Sequence, residues 1–189
     1  MPNLPNILTL SRVVVIPLIV AAFYLAEPAA SWTTFALFAY AAVTDFFDGM
    51  LARRWNQTTD FGRFLDPIAD KLLVAAVLTM MIATNTITGI TVIAALLILL
   101  RELLVSGLRE FLAGKRVDVP VSRLAKWKTS VQLIAIALLL LTDVVSQVSE
   151  IGTVFLWIAA LLTVYTGYDY LRGGMAHMKR PQDNKTAAE

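Results

Sequence analysis

Apolar runs of about 20 residues recur along the chain, each closed by a short polar connection. A run of that length spans a hydrocarbon core of roughly 30 Å as a helix. Hydropathy places six such spans at residues 7–26, 31–53, 62–84, 88–112, 128–145 and 151–171. The connections read "EPAAS", "RWNQTTD", "NTIT", "AGKRVDVPVSRLAK" and "SQVSE". Pro5 suits a helix start, where its missing N–H is no loss. Pro17 falls inside the first span and predicts a kink, and Pro120 breaks the pattern between the fourth and fifth spans.

Composition strengthens the membrane reading. The 189 residues are 58% hydrophobic and 16% charged, with a mean hydropathy of +0.70. A soluble domain is nearer one-quarter charged. The expected class is an all-α integral membrane protein with six transmembrane helices: one domain over residues 1–175 and a polar cytoplasmic tail over 176–189. The first run is followed by no clear small-residue cleavage site and reads as a retained helix. Cysteine is absent, which excludes disulfides and thiolate chemistry.

Basic residues orient the spans. Segments 27–31, 85–89 and 143–150 contain no Lys or Arg, whereas the alternate loops carry Arg53, Arg54, Arg63, Lys115, Arg116, Arg123, Lys126 and Lys128. The positive-inside rule puts those loops and both termini in the cytoplasm, which an even number of spans satisfies.

The segment "DFFDGMLARRWNQTTDFGRFLDPIAD", residues 45–70, places aspartates near the cytoplasmic ends of spans two and three. Asp45 and Asp48 are spaced i, i+3, and Asp66 and Asp70 are spaced i, i+4, so each pair shares a helix face. A tight antiparallel pairing of the two spans brings all four to similar depth, roughly 6–12 Å inside the helix ends. An aspartate at mid-membrane costs about 2.5–3.5 kcal/mol, less at a shallower site, and four like charges also repel. Protonation relieves this, but two divalent cations relieve it better. Oxygen donors suit Mg²⁺ or Mn²⁺, and a two-metal site suits phosphoryl chemistry. The plainer reading makes the aspartates loop-end partners of Arg53 and Arg63; four at matched depth argue against it. Asp60 fits neither face and reads as a loop residue. Gly49 and Gly62 allow close approach of a ligand or helix, Ala52 admits a flat ring, and Arg53 either pairs with a phosphate or marks the cytoplasmic side.

These residues resemble the signature of the CDP-alcohol phosphotransferases, D-x2-D-G-x2-A-R-x8-G-x3-D-x3-D. Asp45, Asp48, Gly49, Ala52, Arg53, Gly62, Asp66 and Asp70 meet every spacing. The likeness extends through "NLPNILTLSR", "RELLVSGLREF" and "AKWKTS", and is strongest to the bacterial branch that uses sn-glycerol 3-phosphate. It implies that this hydroxyl compound attacks CDP-diacylglycerol and releases CMP. It implies that Asp45, Asp48 and Asp66 bind metal, that Asp70 binds metal and acts as base, and that Gly49, Ala52, Arg53 and Gly62 hold the CDP moiety. It also implies a homodimer in the bacterial cytoplasmic membrane with its site facing the cytoplasm. The partners are membrane lipids and the two substrates, with no nucleic acid.

A phosphorylated acceptor needs cations. Arg101 lies within the fourth span, and an arginine there is a functional candidate. Arg109 follows about 80° further round the helix, close enough to line one groove, or else snorkels to the interface. Glu102 and Glu110 are expected to orient these arginines or pair with other basic residues rather than to do chemistry. Lys126 and Lys128 point about 200° apart, so only one faces a pocket easily; Lys126 is the first choice and Lys128 the second. Thr9 and Arg12 are candidates spaced i, i+3 near the start of the first span, and Arg12, shallowly intramembrane, either reaches a phosphate or lipid headgroup or plays a plainer part. Lys71 balances the acidic cluster, and His177 belongs to the solvated tail.

The signature does not choose the acceptor, and serine, inositol phosphate, choline or a second phospholipid fit it too. Intramembrane prenyltransferases also use aspartate-rich motifs, but in longer chains with different motifs. A cation channel wants charge along a crossing path, whereas this chain concentrates charge in its cytoplasmic half.

Overall fold

In a computed structural model of the chain, residues 4–55, 60–114 and 123–178 are described. They form six helices: α1 (Leu4–Ala22), α2 (Ala29–Trp55), α3 (Asp60–Ala83), α4 (Thr91–Gly114), α5 (Arg123–Leu139) and α6 (Gln147–Met178). The described residues contain no strand. Each expected span holds one helix, but several ends differ. Asp60 opens α3 rather than lying in a loop. After Leu139 the hydrogen bonds shorten to Leu141 N–Leu138 O and Thr142 N–Leu139 O, a tightened turn that closes α5 early. The polar tail expected from residue 176 begins inside α6, which takes in His177 and ends at Met178. Gly174 does not stop that helix. A Cβ there would lie 3.2 Å from Leu108 Cδ2 and Leu112 Cδ1, so its lack of a side chain lets α6 lie close on α4.

α4 and residues Gln147–Met175 of α6 are long and apolar enough to cross a bilayer, and Leu8–Ala22 and Trp127–Leu139 are shorter apolar helices. Leu96, Leu100, Leu103, Leu104 and Phe111 of α4 are exposed. An exposed apolar face of that extent suits lipid rather than water. Inside, Phe38, Leu73, Leu78, Met81, Ile98, Ile136 and Leu156 pack among alanines 41, 69, 94, 95, 135, 159 and 160, all essentially inaccessible. Small residues at crossings let helix backbones approach, which drives association where lipid offers no hydrophobic contrast.

The packing forms two groups. α1 lies against both α2 and α3, and α6 lies against both α4 and α5. Among the described residues α2 and α3 touch each other only slightly, and the tight α2–α3 pairing expected from the sequence is not seen there. α1 occupies that place and carries polar side chains to both neighbours. Pro67, inside α3, lacks the N–H that would bond the carbonyl of residue 63, loosening the ladder between Gly62 and Asp70.

Candidate active site

α1 organises the acidic half. Arg12 is fully buried, and its Nη1 lies 2.5 Å from Oδ1 of Asp45 on α2, which is itself 45% exposed. One turn earlier, Thr9 Oγ1 donates to Oδ1 of Asp66 on α3 at 2.5 Å. A cation and a hydroxyl on one helix face thus hold carboxylates from two different helices. The first contact is an ion pair and the second a charge-assisted hydrogen bond, a class about twice as strong as neutral ones. They set the cluster's geometry against repulsion, because Asp45 lies within electrostatic reach of both Asp66 and Asp70. Asp70 has no hydrogen-bond or ion-pair partner among the described residues. Lys71 lies within electrostatic reach of it, but directs Nζ to Pro67 O at 3.0 Å. Gly62 is buried in the first turn of α3.

The donor set of Asp45, Asp66 and Asp70 is all oxygen, the chemistry of Mg²⁺ and Mn²⁺ sites, and it fits a hard divalent cation. Among the described residues no three of these side chains form a ready metal cluster. The motif's remaining carboxylate, Asp48, lies outside the described side chains, as do Gly49, Ala52 and Arg53; all four sit on the backbone of α2's last turns.

The basic half comes from α4, α5 and α6. Arg101 Nη1 lies 3.2 Å from Glu102 Oε1, and its Nη2 donates to Thr166 Oγ1 at 3.1 Å. Lys128 Nζ donates to the same Glu102 oxygen. Lys128 is 3% exposed, so it faces the interior; the side chain of Lys126 lies outside the described ones. Room for Arg101 comes from Gly167, where a Cβ would stand 2.9 Å from Arg101 Cγ. Arg109 does not join this cluster. It is exposed, with its guanidinium carbon 5.7 Å from the centroid of the Tyr170 ring, a cation–π contact. The single groove expected for both arginines divides, because Arg101 and Arg109 lean on different turns of α6. The two halves meet at Asp70, which lies within electrostatic reach of Glu102 and Lys128.

A profile of CDP-alcohol phosphatidyltransferases matches residues 2–165. The chain belongs to this family. Relatives named CDP-diacylglycerol–glycerol-3-phosphate 3-phosphatidyltransferase include one from Rickettsia bellii, 49% identical over 90% of this chain and 94% of its own length. Another, from Shigella flexneri serotype 5b, is 44% identical over 93% of this chain and 97% of its own. A third, from Cereibacter sphaeroides, is 38% identical over 94% of this chain and 97% of its own. A phosphatidyltransferase acts on lipid, in accord with the apolar helices: the chain is an all-helical membrane protein of phospholipid biosynthesis.

Within this phosphatidyltransferase, Thr166 and Gly167 were not legible as site residues. In the sequence they are an ordinary pair in an apolar run, and only the packing of α6 on α4 gives them a role. Thr9 and Arg12 were legible as candidates, and the structure gives each a carboxylate partner.

Proposed function

We propose that the protein transfers the phosphatidyl group of CDP-diacylglycerol to sn-glycerol 3-phosphate, giving phosphatidylglycerophosphate and CMP. The observation that carries this reading is the juxtaposition at Asp70 of an acidic half, Asp45, Asp66 and Asp70, with a basic half, Arg101 and Lys128. One half suits a metal-bound pyrophosphate and the other an anionic acceptor. The acceptor named for the relatives, glycerol 3-phosphate, is phosphorylated.

Asp45, Asp48, Asp66 and Asp70 would hold two Mg²⁺ or Mn²⁺ ions. Bound there, such ions neutralise pyrophosphate charge and make CMP a better leaving group. The chain's own residues do the rest. Gly49, Ala52, Arg53 and Gly62 hold the CDP moiety. Arg101 and Lys128 hold the acceptor phosphate, and Lys126 and Arg109 add positive charge on the same two helices. Asp70 takes the proton of the acceptor hydroxyl. That oxygen forms a bond to the phosphatidyl phosphorus, the phosphorus–oxygen bond to CMP breaks, and the electron pair leaves on CMP. Arg12 and Thr9 keep Asp45 and Asp66 in place throughout.

Six spans with both termini and the site on the cytoplasmic side of a bacterial inner membrane bring lipid, nucleotide and acceptor to one edge. A homodimer completes the reading.

The deciding experiment supplies purified protein with CDP-diacylglycerol, Mg²⁺ or Mn²⁺, and one acceptor at a time. CMP should appear with glycerol 3-phosphate and stop when a chelator is added. CMP release only with serine or inositol phosphate would overturn the acceptor, and release undiminished by chelator would overturn the metals. Gly167→Ala should push Arg101 aside and raise KM for glycerol 3-phosphate roughly tenfold, the effect of about 1.4 kcal/mol. KM for CDP-diacylglycerol should not change. Initial-rate kinetics at varied levels of each substrate check this.

A further inference from the structure

The Arg101–Glu102–Lys128 cluster already contains an anion where an acceptor phosphate is expected to bind. Resting on the acceptor reading above, we propose that Glu102 is the resident counter-ion of this site. Its carboxylate bridges Arg101 and Lys128 as a phosphate oxygen would, and the phosphate of the acceptor displaces it.

Three observations carry this. A single oxygen, Glu102 Oε1, accepts from both Lys128 Nζ and Arg101 Nη1. A shared anionic oxygen between an ammonium and a guanidinium is a phosphate-binding arrangement. Next, Arg101 and Glu102 are consecutive on α4, where neighbouring side chains project about 100° apart and do not face each other. Their 3.2 Å contact therefore requires both chains to bend toward one point beside Lys128. An anion arriving from outside the helix has no such constraint. Finally, Arg101 Nε is buried without a hydrogen-bond partner among the described residues. Arg101 and Lys128 against Glu102 leave one net positive charge, which Asp70 and Lys71 nearby do not change because they add one charge of each sign, and a phosphate brings both more charge and more oxygens to meet it.

The arrangement makes Glu102 a specificity-determining residue. It keeps Lys128 occupied, and so off nearby Asp70, while the acceptor site is empty. It also sets a threshold for entry: an uncharged alcohol cannot displace a carboxylate from two cations, whereas a phosphate monoester can. Selection for a phosphorylated acceptor then follows from competition with an internal anion.

The test uses full-length protein in detergent and inorganic phosphate as probe. The thermal midpoint is followed against phosphate concentration at constant ionic strength. Glu102→Gln should respond at about tenfold lower phosphate than the unaltered protein, the scale of one competing charged hydrogen bond removed. In turnover, KM for glycerol 3-phosphate should fall in parallel and phosphate should inhibit more strongly, with KM for CDP-diacylglycerol unchanged. Phosphate binding that is equal or weaker in Glu102→Gln overturns the proposal, because a residue that only holds the cations in place would be missed by the ligand. Should Glu102→Gln not fold, Glu102→Asp serves the same test. Its carboxylate is one methylene shorter, and it too should bind phosphate more tightly. A phosphate response that survives in Lys128→Met would also overturn it. Tighter phosphate binding by Glu102→Gln in a protein that turns over no glycerol 3-phosphate would support the counter-ion and refute the acceptor alone.

Discussion

Asp70→Asn should lower kcat for CMP release by about 10²–10⁴-fold, the range set by loss of a general base, while leaving the thermal midpoint nearly unchanged. The two halves of that expectation have separate grounds. Asparagine keeps the size of the side chain, and Asp70 makes no hydrogen bond or ion pair among the described residues that the change could break. Nothing in the packing should register the substitution. The chemistry should, because the amide cannot accept the proton of the acceptor hydroxyl. Asp66→Asn supplies the comparison. Its amide oxygen can still accept from Thr9, so its fold should also survive, but what it loses is a metal ligand. Excess Mn²⁺ should therefore restore part of the activity of Asp66→Asn and much less of that of Asp70→Asn. Steady-state CMP release over a metal titration separates the two, and equal rescue of both variants would remove Asp70 from the role of base.

How much of this could be read from the chain depends on the range of the interaction. The pairing of Asp66 with Asp70 was legible because its order is local, a spacing of four on one helix face of α3, while Asp48, the mate of Asp45, lies outside the described side chains. Arg101 was legible because an arginine in an apolar run is costly enough to require a purpose. The part played by α1 was not, because nothing in "LTLSR" says which helices flank it. The expectation of a tight α2–α3 pair followed from their short connection, yet chain neighbours need not be packing neighbours. With α1 set against both, Thr9 and Arg12 become the means by which Asp45 and Asp66 are held. The same limit explains Gly167 and Arg109. A glycine's value lies in the partner it admits, here Arg101, and an arginine's in the surface opposite, here Tyr170. Both partners lie some 60 residues away in sequence, beyond the reach of any periodic pattern.

Asp45→Asn should be the motif substitution that harms the fold as well as the reaction. Arg12 is wholly inaccessible while its partner Asp45 is 45% exposed, so the pair is asymmetric. Removing the carboxylate charge leaves a fully buried guanidinium without that counter-charge. Breaking a fully buried pair from one side costs about 3–5 kcal/mol; Asp45 is partly exposed and Asp70 also lies within electrostatic reach of Arg12, so this case should fall below that range, at roughly 1–2 kcal/mol. Removing the other member is milder, because Arg12→Met takes away the buried charge and leaves a carboxylate that solvent can reach. The double variant Arg12→Met/Asp45→Asn should then regain most of the stability lost in Asp45→Asn, since an apolar replacement of a buried pair is often neutral. It should regain none of the activity, because Asp45 is still missing from the metal-binding set. Thermal midpoints of the three variants in one detergent, beside their CMP release, check the cycle. A midpoint for Asp45→Asn equal to that of the unaltered protein, or a double variant less stable than either single one, would mean that Arg12 does not depend on Asp45. The stability cycle and the activity loss should therefore part company at one residue. That separation distinguishes a carboxylate serving both fold and chemistry, Asp45, from one serving chemistry alone, Asp70.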